Sequence, residues 1–393
     1  MDDKNRKTIL EFICYSPRIY SGFDRYNVIL AKKLVEHGYL PIFVFSDSLE
    51  HVPAIKSDLE KVGAKIELIP GSGKKMILIA IWRLYKKYKP DVVHAHFEEF
   101  IQIGTALFSL ILGSEHFTSF HSTISLLSAS AYKKEKGNLK RISLWIFYRM
   151  LLFCSCKIFT VSEAIKNQFL NFSNSQSEKV NKLYLGVDLK KNDRSKTELR
   201  SSLGLAQDKI LLCNISAFEH IKGLDIFCEA ISLLKKNYRV QNFQFCHLGG
   251  LRADNELNRK YRESIYELAN SLEIEDEVVW MGHRNDIGDI VSAFDIYVHP
   301  SRMEGLGVAN MEAATQSLPI VGANVGGIPE IVIDGVNGFL FDSENAAQLA
   351  ECIYKLIIDK SLRIKLGEAS YQIVSENFNI EKQTDKLVEY YIG

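Results

Sequence analysis

Residues 8–16, TILEFICYS, form a short β-branched run. RYNVILAKKLVEHG (25–38) follows, where apolar residues return at helical spacing and Gly38 suits a C-cap. The alternation then repeats: PIFVFSD is strand-like, HVPAIKSDLEKVG helix-like and AKIELIP strand-like, before a basic helix around 75–88 and the strand-like DVVHAHF. Repeated strand–helix units predict a parallel sheet covered on both faces, with ligands at the carboxyl ends of the strands. The pattern pauses over the polar stretch 182–204. It restarts with KILLCNISA (209–217) and runs on through IKGLDIFCEAISLLKK, FQFCHLGG, EVVWMGHR, DIYVHPSR and LPIVGANVGG. Two α/β domains are expected, 1–188 and 189–375, with the chain break near 188–200. The tail NIEKQTDKLVEYYIG reads as a last helix with its apolar positions on one side.

Composition narrows the class. The 393 residues are 47% hydrophobic and 24% charged, which excludes disordered and fibrous chains and suits two cores. Net charge is zero, yet residues 1–190 hold 27 Lys and Arg against 18 Asp and Glu, and the remainder carries the matching acidic excess. The first half is therefore expected to meet something anionic, a membrane surface or a phosphate-bearing molecule; no nucleic-acid partner is expected. Seven cysteines without a CxxC pair read as reduced thiols of a cytoplasmic protein. The N-terminus lacks a signal-like apolar region, and IGTALFSLILG (103–113) is too short for a bilayer, which takes ~20 residues.

The chemistry concentrates in SRMEGLGVANMEA (301–313), where a strand gives way to a helix. Gly305 and Gly307 allow close backbone approach of a ligand, and a helix starting near Val308 offers its positive end to a phosphate. Glu304 in the loop and Glu312 in an early helical turn would be repelled by that phosphate, but they suit sugar hydroxyls. Two such acceptors flanking an anion site point to a nucleotide sugar, although the same residues also fit a plain glycine turn with incidental glutamates.

Other segments point the same way. Lys222, after the strand ILLCNIS, is placed to neutralise a diphosphate, or is a solvated turn lysine. Gly22 in SGFDR opens a helix where backbone can meet a phosphate, or is an ordinary turn glycine. His121 in FTSFHST can hydrogen-bond a sugar or stabilise developing charge, or is a structural histidine. His94 and His96 share a strand face, but no third ligand with metal spacing follows them, so they read as structural or acceptor-facing. KKEKGNLKRISLWIFYRMLLF (133–153) joins a lysine-rich turn to an almost wholly apolar helix. That segment reads either as a dock for an anionic membrane or as a buried domain helix, and its apolarity favours burial.

Taken together these motifs resemble the family-4 retaining glycosyltransferases of the GT-B fold. The likeness is strongest over 277–341, where Glu304-x7-Glu312 lies between PSR and GGIPEIV-DG-NGFL. The resemblance implies two doubly wound Rossmann-like domains facing across a cleft, with a C-terminal helix (376–393) crossing back to the first. It implies that Glu304 contacts the donor sugar, that Gly305, Leu306 and Gly307 offer backbone donors, and that Glu312 holds the ribose. Lys222 would neutralise the leaving diphosphate, His121 would sit near the reacting sugar, Gly22 would line the diphosphate side, and His283 and Arg284 would approach the base. The expected reaction is metal-independent, retaining transfer of a hexose from a UDP- or GDP-sugar, without a cofactor, to a glycan, lipid-linked or small-molecule acceptor in cell-surface polysaccharide or glycolipid synthesis. A nucleotide-sugar 2-epimerase and a silent sugar-nucleotide-binding protein share the architecture. Where the family places an arginine five residues before the lysine this chain has Ala217, with Arg284 or Arg302 expected to compensate. A dehydrogenase is disfavoured because no G-x-G-x-x-G follows the first strand.

Overall fold

A computed structural model describes residues 6–13, 22–46, 53–122, 137–251, 256–284 and 286–393. Cys14, Ser21 and the lysine-rich turn at 133–136 lie outside these residues. The chain forms two compact units, Met1–Gly186 with Ile380–Gly393, and Val187–Asn379.

In unit 1 the sheet comprises β1 (Thr8–Phe12), β2 (Leu40–Ser46), β3 (Lys65–Ile69), β4 (Val92–His96), β5 (Glu115–Phe120), β6 (Lys157–Thr160) and β7 (Val180–Lys182). The order is β3-β2-β1-β4-β5-β6-β7, and each neighbouring pair is parallel. Strands β1, β2 and β4 are buried along their whole length, so their side chains must be apolar on both faces. Glu11, His94 and His96 break that rule inside the sheet. The direction of strand addition reverses between β1 and β4, which opens a crevice at their carboxyl ends.

The chain returns to unit 1 as the helix Ile380–Ile392, which lies against the helix Gly22–Glu36. Leu387, Val388 and Tyr391 pack with Tyr26, Leu30 and Leu34. Lys33 Nζ pins the same helix from 2.9 Å to Glu381 and 2.5 Å to Asp385. The helix Gly137–Cys154 departs from its expected burial. It buries Leu144, Tyr148 and Leu151 but leaves Trp145, Ile146, Met150 and Phe153 exposed, so its apolarity serves a surface as well as the core. No helix among the described residues is long and apolar enough to cross a membrane.

Unit 2 repeats the scheme with β8 (Ile210–Ile215), β9 (Phe243–Leu248), β10 (Val278–Gly282), β11 (Ile296–His299), β12 (Ile320–Ala323) and β13 (Gly338–Phe341), ordered β10-β9-β8-β11-β12-β13 and parallel. The helix Leu224–Lys236 buries Ile226, Phe227, Ile231 and Leu234 in a core with Phe243 and Phe245. Here the order reverses between β8 and β11, whose carboxyl ends lead into Ala217–Lys222 and Ser301–Glu304. The polar stretch after 182 is not irregular throughout. Ser195 and Glu198 form a reciprocal capping box that starts the helix Lys196–Leu203.

Candidate active site

The crevice of unit 2 brings Lys222 and Glu304 together from segments far apart in sequence. Lys222 ends the short 3-10 turn His220–Lys222 after β8, and its Nζ lies 2.8 Å from Glu304 Oε2. His299, the last residue of β11, places Nε2 3.0 Å from the same oxygen, while Tyr297 Oη lies 3.1 Å from His299 Nδ1. A carboxylate can only accept, so His299 donates to Glu304 through Nε2. Burial pushes the Glu304 carboxyl up, but the Lys222 ammonium and the His299 hydrogen bond outweigh it and hold the group well below the usual carboxylate range. Glu304 is thus a fixed, ionised acceptor whose side chain is still 17% exposed.

The loop around it is set by backbone demands. Gly307 has φ 91° and begins the helix Val308–Thr315, whose first amides receive no side-chain cap. A Cβ at Gly307 would lie 2.5 Å from Asn310 Nδ2 and 3.3 Å from Glu304 Cγ. Gly326 approaches more closely: a Cβ there would lie 1.8 Å from the Glu304 carbonyl oxygen. Such contacts require glycine and fix where Glu304 stands. Gly305, Leu306 and Gly307 are buried, and Glu312 is half-buried one helical turn further on. An uncapped helix start beside a lysine can hold an anion, and flanking carboxylates can accept from hydroxyls.

Arg302, one of the two cations expected to compensate for Ala217, is engaged with other partners. Its guanidinium is held 2.7 Å from Asp225 and 2.5 Å from Glu344, and it also donates to the His220 carbonyl at 2.8 Å. Those bonds staple the loop after β11 to the turn carrying Lys222, so Arg302 positions the site. Arg284 is likewise engaged, 2.6 Å from Asp286. His283 stands exposed after β10, and a Cβ on Gly250 would lie 3.2 Å from its Cβ.

Gly22 and His121 belong to unit 1. Gly22 starts its helix, and the ring of the next residue, Phe23, lies 5.0 Å from that of His121. His121 follows β5 with its Nε2 2.8 Å from His96 Nδ1, and Phe97 stacks on it at 4.4 Å. Burial, with His96 beside it, holds His121 well below the ordinary histidine range, so it is neutral. The sequence reading found no third partner for His94 and His96; the fold supplies one in Glu11, whose carboxyl oxygen lies within 4.8 Å of both. It also overlooked His299 and Asn310, the latter fully buried with both amide atoms unpartnered among the described residues. The histidine at the end of a strand leading into the Glu304 loop was the available signal for His299.

Comparison with known proteins identifies the family. The model for "Glycosyltransferase Family 4" matches residues 20–191, and that for "Glycosyl transferases group 1" matches 195–373. The chain is 25% identical to the UDP-Gal:alpha-D-GlcNAc-diphosphoundecaprenol alpha-1,3-galactosyltransferase of Escherichia coli, over 80% of this chain and 78% of that protein. It is 23% identical to the capsular polysaccharide biosynthesis glycosyltransferase CapM of Staphylococcus aureus, over 88% and 86%. Anabaena HepE, solved in complex with UDP, shares the fold with a TM-score of 0.81 at 20% identity, over 98% of this chain and 99% of that one. Since the two matches adjoin and the fold is shared from end to end, the chain belongs to the family-4 glycosyltransferases of GT-B fold.

Proposed function

We propose that this glycosyltransferase moves a hexose from a UDP-sugar, with retention and without a metal ion, to a lipid-linked or glycan acceptor in polysaccharide or glycolipid synthesis. The observation that carries this reading is the Lys222–Glu304 pair beside the uncapped start of the helix Val308–Thr315. Without donor the two side chains satisfy each other. With donor, Lys222 and the helix amides take the diphosphate, which frees Glu304 to accept hydrogen bonds from the sugar, while Glu312 accepts from the ribose. The barrier is heterolysis of the anomeric carbon–oxygen bond to the leaving phosphate. The ammonium and the amide dipoles stand where that negative charge grows. The leaving phosphate oxygen takes the acceptor's proton, and the family resemblance gives His121 of unit 1 a sugar-facing role. A uridine donor is favoured by HepE, solved with UDP and with UDP-glucose, and by the galactosyltransferase relative.

The acceptor side falls to unit 1. Trp145, Ile146, Met150 and Phe153 join Leu107 and Leu110 in an open apolar recess of about 360 Å³, with Arg149 on its rim and Arg141 exposed nearby. This composition suits an anionic lipid surface that presents a polyprenol-diphosphate sugar, and it supports a peripheral position on the inner face of the membrane.

The test is incubation of the protein with a panel of UDP- and GDP-sugars in the presence of a lipid-diphosphate sugar, reading nucleotide release and the anomer formed. Release of UDP with an α-linked product, undiminished by EDTA, is expected from a UDP-α-sugar. A free epimerised sugar nucleotide without transfer would replace this reading with a 2-epimerase.

A further inference from the structure

Three neighbouring strands of unit 1 converge on a buried polar row of which the transfer chemistry above uses only the last member, His121. Glu11 comes from β1, His94 and His96 from β4, and His121 follows β5; Glu11 and His94 are 0% exposed and His96 is 2% exposed. Tyr391 of the C-terminal helix donates to Glu11 Oε1 at 2.6 Å. Glu11 Oε2 lies 3.2 Å from His96 Nε2, and His96 Nδ1 lies 2.8 Å from His121 Nε2. His121 Nδ1 is buried and has no partner among the described residues. The row therefore ends in one unsatisfied nitrogen, on the residue assigned above to the reacting sugar.

Counting protons gives the row two states. Burial pushes His96 down to about 3 and holds His121 well below the ordinary range, so each ring is neutral and carries a single N–H. When Glu11 is a carboxylic acid, its O–H donates to His96 Nε2. His96 must then carry its hydrogen on Nδ1 and donate it to His121 Nε2, which leaves the hydrogen of His121 on Nδ1. When Glu11 is a carboxylate, every donor reverses. The Glu11 proton has passed to His96 Nε2, the His96 Nδ1 proton has passed to His121 Nε2, and one proton has left at His121 Nδ1.

We propose that Glu11 and His96 are positioning residues that set the tautomer of His121, so that the state of a buried carboxyl decides whether Nδ1 meets its ligand as a donor or as an acceptor. This rests on the reading of His121 as the sugar-facing histidine. Burial lifts the Glu11 carboxyl to about 8 against the lowering effect of Tyr391, so the donor form prevails at neutral pH. The titratable groups facing Glu11 are His94 and His96 from β4, Tyr391 from the C-terminal helix and Tyr26 from the helix Gly22–Glu36. β2 brings Phe43 opposite it, which does not titrate. Both tyrosines are pushed far up by burial and stay neutral, so Glu11 is the group that changes state as pH rises from neutral.

The experiment is tautomer-resolved 15N spectroscopy of histidine-labelled full-length protein, between about pH 6.5 and about pH 9.5, either side of the raised carboxyl. In the wild type, His121 should move from the Nδ1–H to the Nε2–H form in the same step as His96. In Glu11→Gln the side-chain amide donates as the acid does, so His121 should stay Nδ1–H throughout. A His121 that keeps one tautomer in the wild type, or that switches equally in Glu11→Gln, overturns the proposal. The wild-type titration decides even if the variant does not fold. Stoichiometric metal bound by Glu11, His94 and His96 would also overturn it, because the ion would occupy His96 Nε2. Turnover of UDP-glucose by His121→Ala separates the two readings. Loss of turnover with no tautomer step rejects only the relay, whereas near-parental turnover rejects the sugar-facing role.

Discussion

Lys222 and Glu304 are 82 residues apart in sequence, yet they form an ion pair at 2.8 Å with His299 on the same carboxylate oxygen. Replacing Lys222 with alanine removes the cation aimed at the leaving diphosphate and should lower kcat by about 10²–10³. Glu304→Gln keeps the shape but loses the charge, and should weaken turnover similarly while leaving the fold intact. Steady-state kinetics with far-UV circular dichroism checks both. Gly326→Ala tests the backbone. Its added carbon would lie 1.8 Å from the Glu304 carbonyl oxygen, so the loop must shift and activity should fall without any change to a charged group. Glu304, Gly307, Glu312 and Lys222 were legible because glycine and carboxylate spacing at a strand end carries its own chemistry. His299 and Arg302 were harder. A histidine ending a strand before such a loop marks a position but not its partner, and the two carboxylates that hold Arg302, Asp225 and Glu344, come from distant parts of the chain.

Among elements, the alternation of strand and helix was readable because strands buried on both faces must be apolar throughout. The helix Lys196–Leu203 was missed because two polar turns show little periodicity, although its S-x-x-E cap stood in the sequence. Glu11, inside the apolar strand β1, gave no hint of its partners, since His96 and Tyr391 reach it only through sheet pairing and the returning helix. Tyr391→Phe removes the hydroxyl that Glu11 accepts from and should destabilise unit 1 by about 1–3 kcal/mol, read by urea unfolding. The pH dependence has a definite sign. The Glu11 carboxyl is raised in the folded state, so it binds more protons there than in the unfolded chain, and stability falls as pH rises towards about 8. From pH 6.5 to 8 this slope amounts to roughly 2 kcal/mol and should vanish in Glu11→Gln. Buried His96, His116 and His247 are depressed to about 3, so the opposite loss sets in as pH falls below their unfolded value of roughly 6.5.

At the scale of the molecule, a basic first half and an acidic second half accompany two sheets wound in the same manner. The charge division fits a protein whose first unit faces anionic lipid. In that proposed role the exposed Trp145, Ile146 and Phe153 would supply the apolar contact that charge alone lacks. Flotation with vesicles containing anionic lipid should capture the wild type and release it in high salt. Trp145→Asp with Phe153→Asp should abolish capture while turnover of a water-soluble acceptor persists. Equal capture of the two proteins would remove this apolar patch from the account, and capture of neither would remove the membrane.

The central claim is that the loop at Glu304 and the turn at Lys222 hold an activated sugar, and a crystal structure of the protein soaked with a non-hydrolysable UDP-sugar tests it most directly. The diphosphate is expected within about 3 Å of Lys222 Nζ and the amides opening the helix Val308–Thr315, with Glu304 on sugar hydroxyls and Glu312 on the ribose. Nucleotide density at another place, with the Lys222–Glu304 pair undisturbed, would contradict it.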